Sequence, residues 1–465
     1  MSAFPQARAR SSLTIIHQAH VRAQATGQPI LATLAFACPG LDPLSLFAHS
    51  RTEPRAYWEQ PTAGFALAGV GSVSELCLAG EDRFAQAAGW WQQRCATAVG
   101  DAPPDLPLAL PLAVAGFAFA PQPPRAPHWQ PFGSGVLTVP RWVALRWGTQ
   151  SWLAISTLVR PADDPVALAS QLEEELAWPS PSPPSPTSPP ALLASSDDGP
   201  AWKEAARQAI AAIRRGATEK LVLAREVRLL AEHPFDLPAS LAWLREAYPS
   251  CTLFAFTRQG ATFLGATPER LVRLHERTVE TLALAGSAPR GATLPEDEAL
   301  GRALLADPKE RHEHALVVQA LAEALRPLCF QLTLPDQPTL LRLPNVQHLA
   351  TPLRGELVNG ACLLNLLARL HPTPAVGGWP REAALATLPR CERFERGWYT
   401  GPVGWLAGDG SGEFVVALRS ALVRGHEARL FAGCGLVAAS DPTRELRETE
   451  LKLLPMRRAL FRSDQ

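Results

Sequence analysis

From residue 220 onward the chain sets strand-like segments so close together that antiparallel hairpins are favoured over crossover units. Residues 220–230 alternate in the manner of a strand; 253–256 is followed at once by 261–264, and 271–274 by 278–284. A tight turn suffices between antiparallel strands, whereas a parallel pair needs a crossover of about a dozen residues or more. Helical periodicity at 201–215, 295–306, 308–326, 360–370 and 442–461 supplies segments that can cover one face of each sheet. The pattern predicts an α+β protein without internal repeats.

The clearest punctuation is residues 178–190, WPSPSPPSPTSPP, an extended Pro/Ser stretch that suits neither a helix nor a central strand. It divides residues 1–177, with strand-like pieces at 64–70, 116–120, 142–147 and 152–158, from residues 191–465. A chain of 465 residues can bury a large core as two domains or one composite. Lys+Arg and Asp+Glu are equal at 44 each. No net field therefore draws nucleic acid or an anionic membrane, and an anionic ligand must be met by local charges. The opening MSAFPQARARSSLTII lacks the apolar core and cleavage site of a secretory signal. The most apolar run, 106–121, contains prolines and is too short to span a bilayer. Eight cysteines are scattered without a CxxC pair, which suits reduced thiols in a cytoplasmic protein.

Chemistry concentrates in two helix starts. Residues 431–452, FAGCGLVAASDPTRELRETELK, carry a glycine-rich turn and then Asp441-Pro442, where Asp caps free N–H groups and Pro fits the first helical position. At about 100° per residue, Glu445, Glu448 and Lys452 share a face and Glu450 points away. One reading is a simple i,i+4 bridge between Glu448 and Lys452. Asp307-Pro308-Lys309-Glu310 is a second capped start, with Glu310 placed to close a capping box. Glu313 lies in line with the apolar stripe Leu316, Val317, Ala320 and Leu321, so it heads toward the buried side. A buried carboxylate needs a cation or several donors. Two such helices can hold a hard divalent ion, with oxygen ligands completing the shell as magnesium prefers. Without the ion the two carboxylates are expected to repel, so neutralising either would, if anything, stabilise the fold. His312 and His314 flank Glu313, but neither HExxH nor a Cys partner supports zinc.

Lys220 opens the strand KLVLAR at the rim of an apolar face, where an amine loses its proton more easily and can serve as a base; the plain alternative is a surface lysine at a strand end. Glu269 sits in a turn between apolar strands, where the plain alternative is a solvated acid. Arg419 lies on an alternating strand, 415–420, and suits either a bidentate carboxylate contact or an internal ion pair. Gly286-Ser287 and Gly433-Cys434-Gly435 are read as strand ends whose missing side chains let backbone N–H groups approach a ligand oxygen. These pieces describe a pocket for a small polyanion with magnesium.

From Trp202 to Leu460 the chain resembles the chorismate-utilising enzymes, and among them the isochorismate synthases. The matching strings are KLVLAR (220–225), GATPERL (265–271), LALAGSAPRG (282–291), KERHEH (309–314), VQHLATPLRG (346–355), LHPTPAVGG (370–378), ERGWYTGPVGW (395–405), VALRSA (416–421), AGCGLV (432–437) and SDPTRELRETELK (440–452). WEQP and AGFAFAP are weaker matches in the N-terminal part, which is similar to the family's variable portion. The resemblance implies one composite fold of two packed antiparallel sheets with helices outside, the Pro/Ser stretch being a surface excursion. It implies Lys220 as the base activating water for attack at C2 of chorismate and Glu269 as the acid helping the C4 hydroxyl leave. Glu313 and Glu448 would hold magnesium, and Gly286, Ser287, Ala375, Arg419, Gly433 and Lys452 would contact substrate. Cys434 departs from a position that is usually small.

Aminating relatives usually lack lysine where Lys220 stands, and some carry one where this chain has Ala285, so no glutamine amidotransferase subunit is expected. Salicylate synthases keep the water-activating lysine and add pyruvate elimination; HPTPAVGG is more similar to the isochorismate synthases. A binding protein without turnover would be expected to have lost one of Lys220, Glu269, Glu313 or Glu448, and all four are present. The destination of the product, menaquinone or a catechol siderophore, is not written in the enzyme; the long N-terminal part leans toward menaquinone.

Overall fold

The close-set segments fold as the spacing requires. In the computed structural model, which describes residues 4–176 and 188–462, Thr252–Arg258 and Ala261–Thr267 form one antiparallel hairpin, and Arg270–His275 and Thr278–Pro289 another. The helices expected from periodicity are Gly199–Arg214, Leu294–Ala306, Pro308–Leu325, Leu363–Leu370 and Pro442–Phe461. Most of the Pro/Ser stretch lies outside the described residues.

The two hairpins do not share a sheet. Thr252–Arg258 and Ala261–Thr267 belong to a thirteen-stranded sheet, whereas Arg270–His275 and Thr278–Pro289 belong to a ten-stranded one. Both sheets draw strands from before and after the Pro/Ser stretch. Arg55–Gln60 pairs with Thr252–Arg258 in the larger, and Leu112–Phe117 with Pro402–Ala407 in the smaller. Among the described residues every strand pairing is antiparallel except that of Ile30–Ala37 with Val99–Asp101.

The sheets pack face to face over an aromatic core that includes Trp129, Phe132, Phe254, Phe263, Trp398 and Phe431. A fully buried aromatic side chain contributes about 2–3 kcal/mol of transfer free energy. Trp398 reaches its place because Gly116 lies under it: a Cβ there would stand 1.9 Å from the indole ring. The outer faces are covered by helices, Phe4–Thr26 and Pro442–Phe461 among those on the larger sheet and Arg83–Thr97 and Pro308–Leu325 among those on the smaller. Among the described residues no helix is long and apolar enough to cross a membrane.

Because the hairpins sit in different sheets, residues 267–270 carry the chain from one sheet to the other. Residues 416–420 do the same between Gly412–Val416 and Ser420–Arg424. The two crossings are laced together: Val416 N donates to Glu269 O (3.0 Å), Ala266 N to Arg419 O (3.2 Å) and Thr267 Oγ1 to Val416 O (2.7 Å).

Candidate active site

Each crossing carries one polar side chain inward. Glu269, expected in a turn that could have been solvated, is 5% exposed. Burial raises its pKa to about 7, against the opposing pull of Lys220, Lys452 and Arg419. Arg419, expected on a strand, instead takes a left-handed backbone (φ 48°) at the crossing and is buried. Its guanidinium meets His348 Nε2 at 3.1 Å, and its NH1 nitrogen is buried without a hydrogen-bond partner. A guanidinium only donates, so His348 accepts through Nε2. The proton is then on Nδ1, within reach of Ser287 Oγ (2.9 Å) and Gly286 O (3.3 Å). Burial, then Arg419 and Lys452, hold the imidazole well below its ordinary pKa.

Two helices contribute from their first turns. Asp307 accepts from Lys309 N (2.8 Å) and Glu310 N (3.1 Å), and Asp441 from Thr443 N (3.0 Å) and Arg444 N (2.8 Å), so both expected caps form. The capping box does not. Glu310 instead accepts from Ser287 N (3.1 Å) and from Lys309 (3.0 Å), because a bulge at Gly286 aims that amide at it. Gly286 therefore lies within the strand Thr278–Pro289 rather than ending one, in a positive-φ conformation (79°) that suits glycine. Gly433 and Gly435 likewise lie within a strand, Glu427–Leu436.

Glu269, Gly286, Ser287, Glu313, Ala375, Arg419, Gly433, Glu448 and Lys452, all singled out from sequence, line a single cavity. Lys452 bridges to Glu448 (2.6 Å) and also donates to Gly433 O (2.9 Å), so the i,i+4 pair and a place in the cavity are both real. Glu450 points away, to Arg225.

Lys220 is the exception. It is wholly buried rather than at a rim and is not among the residues that line the cavity, its Nζ standing 2.9 Å from Glu313 Oε1 of the lining. Among the described residues this is the only ion pair the ammonium makes. Gly435 makes the contact possible: a Cβ there would stand 2.3 Å from Glu313 Oε1 and 3.0 Å from Lys220 Cε. Burial pushes the Glu313 carboxyl up, but Lys220 and then Lys309 outweigh it and hold it below its ordinary pKa.

Sequence reasoning gave no site role to His348, Lys309 or Tyr399, and none of chemical weight to Glu310 or Glu445. For the two glutamates a signal existed, since each stands three residues before Glu313 or Glu448 on the same helix. His314 is spent on Thr351 Oγ1 (2.8 Å). Among the described residues no three His, Cys, Asp or Glu side chains converge closely enough to hold a metal ion by themselves.

The sequence matches the family model described as chorismate binding enzyme over residues 15–461. It is 43% identical over 447 residues to the salicylate biosynthesis isochorismate synthase of Pseudomonas aeruginosa, spanning 94% of this chain and 92% of that protein. It is 33% identical to isochorismate synthase MenF of Bacillus subtilis, over 96% of each. Among solved structures, MenF, the menaquinone-specific isochorismate synthase from Escherichia coli, superposes with a TM-score of 0.78 at 28% identity, covering 97% of this chain and 100% of that one.

Proposed function

This chain belongs to the chorismate binding enzyme family, and from that premise we propose that it is a magnesium-dependent isochorismate synthase, an isomerase that adds water at C2 of chorismate and releases the C4 hydroxyl. The observation that carries the reading is one cavity holding a protonatable buried acid, Glu269, together with carboxylates on two facing helix ends and a buried lysine behind them. Residues 1–177 complete both sheets and residues 191–465 carry the site, a division of labour within one fold.

Glu269, with a pKa of about 7, holds a proton on a useful fraction of molecules near neutrality and is the acid that protonates the departing C4 oxygen. Lys220 is the base, acting as the free amine: its buried Nζ takes a proton from water once it has given up its own and Glu313, its ion-pair partner at 2.9 Å, is drawn elsewhere. Arg419 NH1, buried and without a partner, and the Ser287 hydroxyl orient a substrate carboxylate. Lys452 holds the Gly433 backbone in place.

The residues fit a hard divalent cation. Glu310, Glu313, Glu445 and Glu448 offer only oxygen donors, and three lysines serve these four carboxylates. Burial first, and then repulsion from Glu313 and Glu448, raise the pKa values of Glu310 and Glu445. Glu313 and Glu448 would hold the ion, which when bound supplies positive charge to orient a substrate carboxylate. We place the enzyme in the cytosol, which its eight free cysteines suit. Its product would feed menaquinone or catechol siderophore synthesis. Relatives named isochorismate synthase, rather than salicylate synthase, support that order of readings.

The deciding experiment is incubation with chorismate and magnesium in ¹⁸O-labelled water. Isochorismate labelled at the C2 hydroxyl is expected; unlabelled product would mean intramolecular migration, and salicylate or an aminated product would replace the assignment.

The acid role predicts a pH dependence. Glu269 must be protonated to act, so kcat is expected to fall as pH rises through about 7, and Glu269→Gln to lose that limb together with most of the rate. The same raised pKa adds stability that is fully present below the ordinary value of 4.5 and is lost as pH rises through about 7. A wild-type kcat flat from pH 6 to pH 9 would remove Glu269 as the acid.

A further inference from the structure

The carboxylates of the two helix ends come in matched pairs. Glu310 and Glu313 on one helix, and Glu445 and Glu448 on the other, each lie three residues apart shortly after an Asp-Pro cap. The first member of each pair, Glu310 and Glu445, already has a cation. Lys309 Nζ stands 3.0 Å from Glu310 Oε1 and 3.1 Å from Glu445 Oε1, and both glutamate side chains are almost wholly buried. The other oxygen of Glu310 is taken by Ser287 N. Arg444 approaches Glu310 only to 3.6 Å from a largely exposed side chain. One ammonium therefore serves both carboxylates, where water cannot.

The geometry assigns Lys309 the part of a resident second cation: a positioning residue that ties the two helix ends together through Glu310 and Glu445 and leaves Glu313 and Glu448 as the site for a single divalent ion. The assignment rests on the metal reading above. It differs from a plain structural salt bridge in one respect. A structural bridge, once broken, costs stability alone, whereas an emptied cation place between two buried carboxylates invites another cation.

The test is Mn²⁺ binding to the full chain, followed by electron paramagnetic resonance without substrate. Wild type is expected to bind a single ion, and Lys309→Arg to do the same. Lys309→Met is expected to bind a second ion and to lose turnover by about tenfold or more, the range typical when a group supporting metal ligands is removed. A Lys309→Met chain that binds one ion with wild-type affinity and turns over normally overturns the assignment. If that variant folds poorly, the chain carrying Lys309→Met, Glu310→Gln and Glu445→Gln together, with no charge left to balance, is expected to bind one ion. A folded triple variant that binds two or none also overturns it. Wild type binding no Mn²⁺ overturns the metal reading itself, a result seen before any variant is made.

Discussion

Lys220→Ala is expected to bind chorismate but lose turnover by about 10²- to 10⁴-fold, the usual span for removing a general base. The Lys220 side chain is wholly buried and paired with Glu313 at 2.9 Å, and a base acts on the attacking water rather than on the substrate itself, so affinity should be largely kept. A second effect accompanies the first. The variant leaves the Glu313 carboxylate buried without its nearest cation, a defect that costs about 3–5 kcal/mol where nothing replaces the partner. The melting temperature should therefore drop in EDTA and recover in part with magnesium, which wild type would show to a smaller degree. Product chromatography, equilibrium dialysis and thermal melts with and without metal check the three parts. A normal rate in Lys220→Ala would remove the base from the mechanism.

Glu313→Gln and Glu448→Gln are each expected to abolish turnover that EDTA also abolishes in wild type, while differing from each other when metal is absent. Repulsion between two bare carboxylates would make both changes stabilising, and that expectation fails on the structure because each already has a lysine. Glu313→Gln strands Lys220, whose side chain is 1% exposed, so it should melt lower. Glu448→Gln gives up only a partly exposed contact to Lys452 within one helix, worth a few tenths of a kcal/mol. Full wild-type activity in EDTA would sink the metal reading, and equal melting temperatures for the two variants would contradict the lysine pairing.

What can be read without coordinates follows from how local each determinant is. The helix Pro442–Phe461 is legible to the residue, because its Asp-Pro start and apolar period lie within the segment itself. The hairpins are legible because a short turn leaves one way to pair. That successive hairpins enter different sheets is not, since nothing in residues 267–270 marks a crossing; hence Glu269 reads as an acid in a turn, and only the packing of two sheets around it raises its pKa. The capping box fails for a similar reason, because the bulge at Gly286, far away in sequence, offers Glu310 a different amide. Lys220 reads as rim or surface because strand alternation gives the face but not the depth, which the cover of Glu313 and Gly435 decides.

The interleaving of the sheets also governs the order in which the chain can finish folding as it is made. Arg55–Gln60 finds one neighbour at once in Phe65–Val70, but its other edge waits for Thr252–Arg258. Leu112–Phe117 pairs early with Gly135–Val139, and its other edge waits for Pro402–Ala407, far along the chain. Open, apolar strand edges template pairing with other chains. Partners so distant in sequence also slow closure, because the loop between them must be ordered before the contact rewards it. Strands before the Pro/Ser stretch are thus expected to wait as a half-built sandwich, open to misassembly, until the strands far along the chain close both sheets.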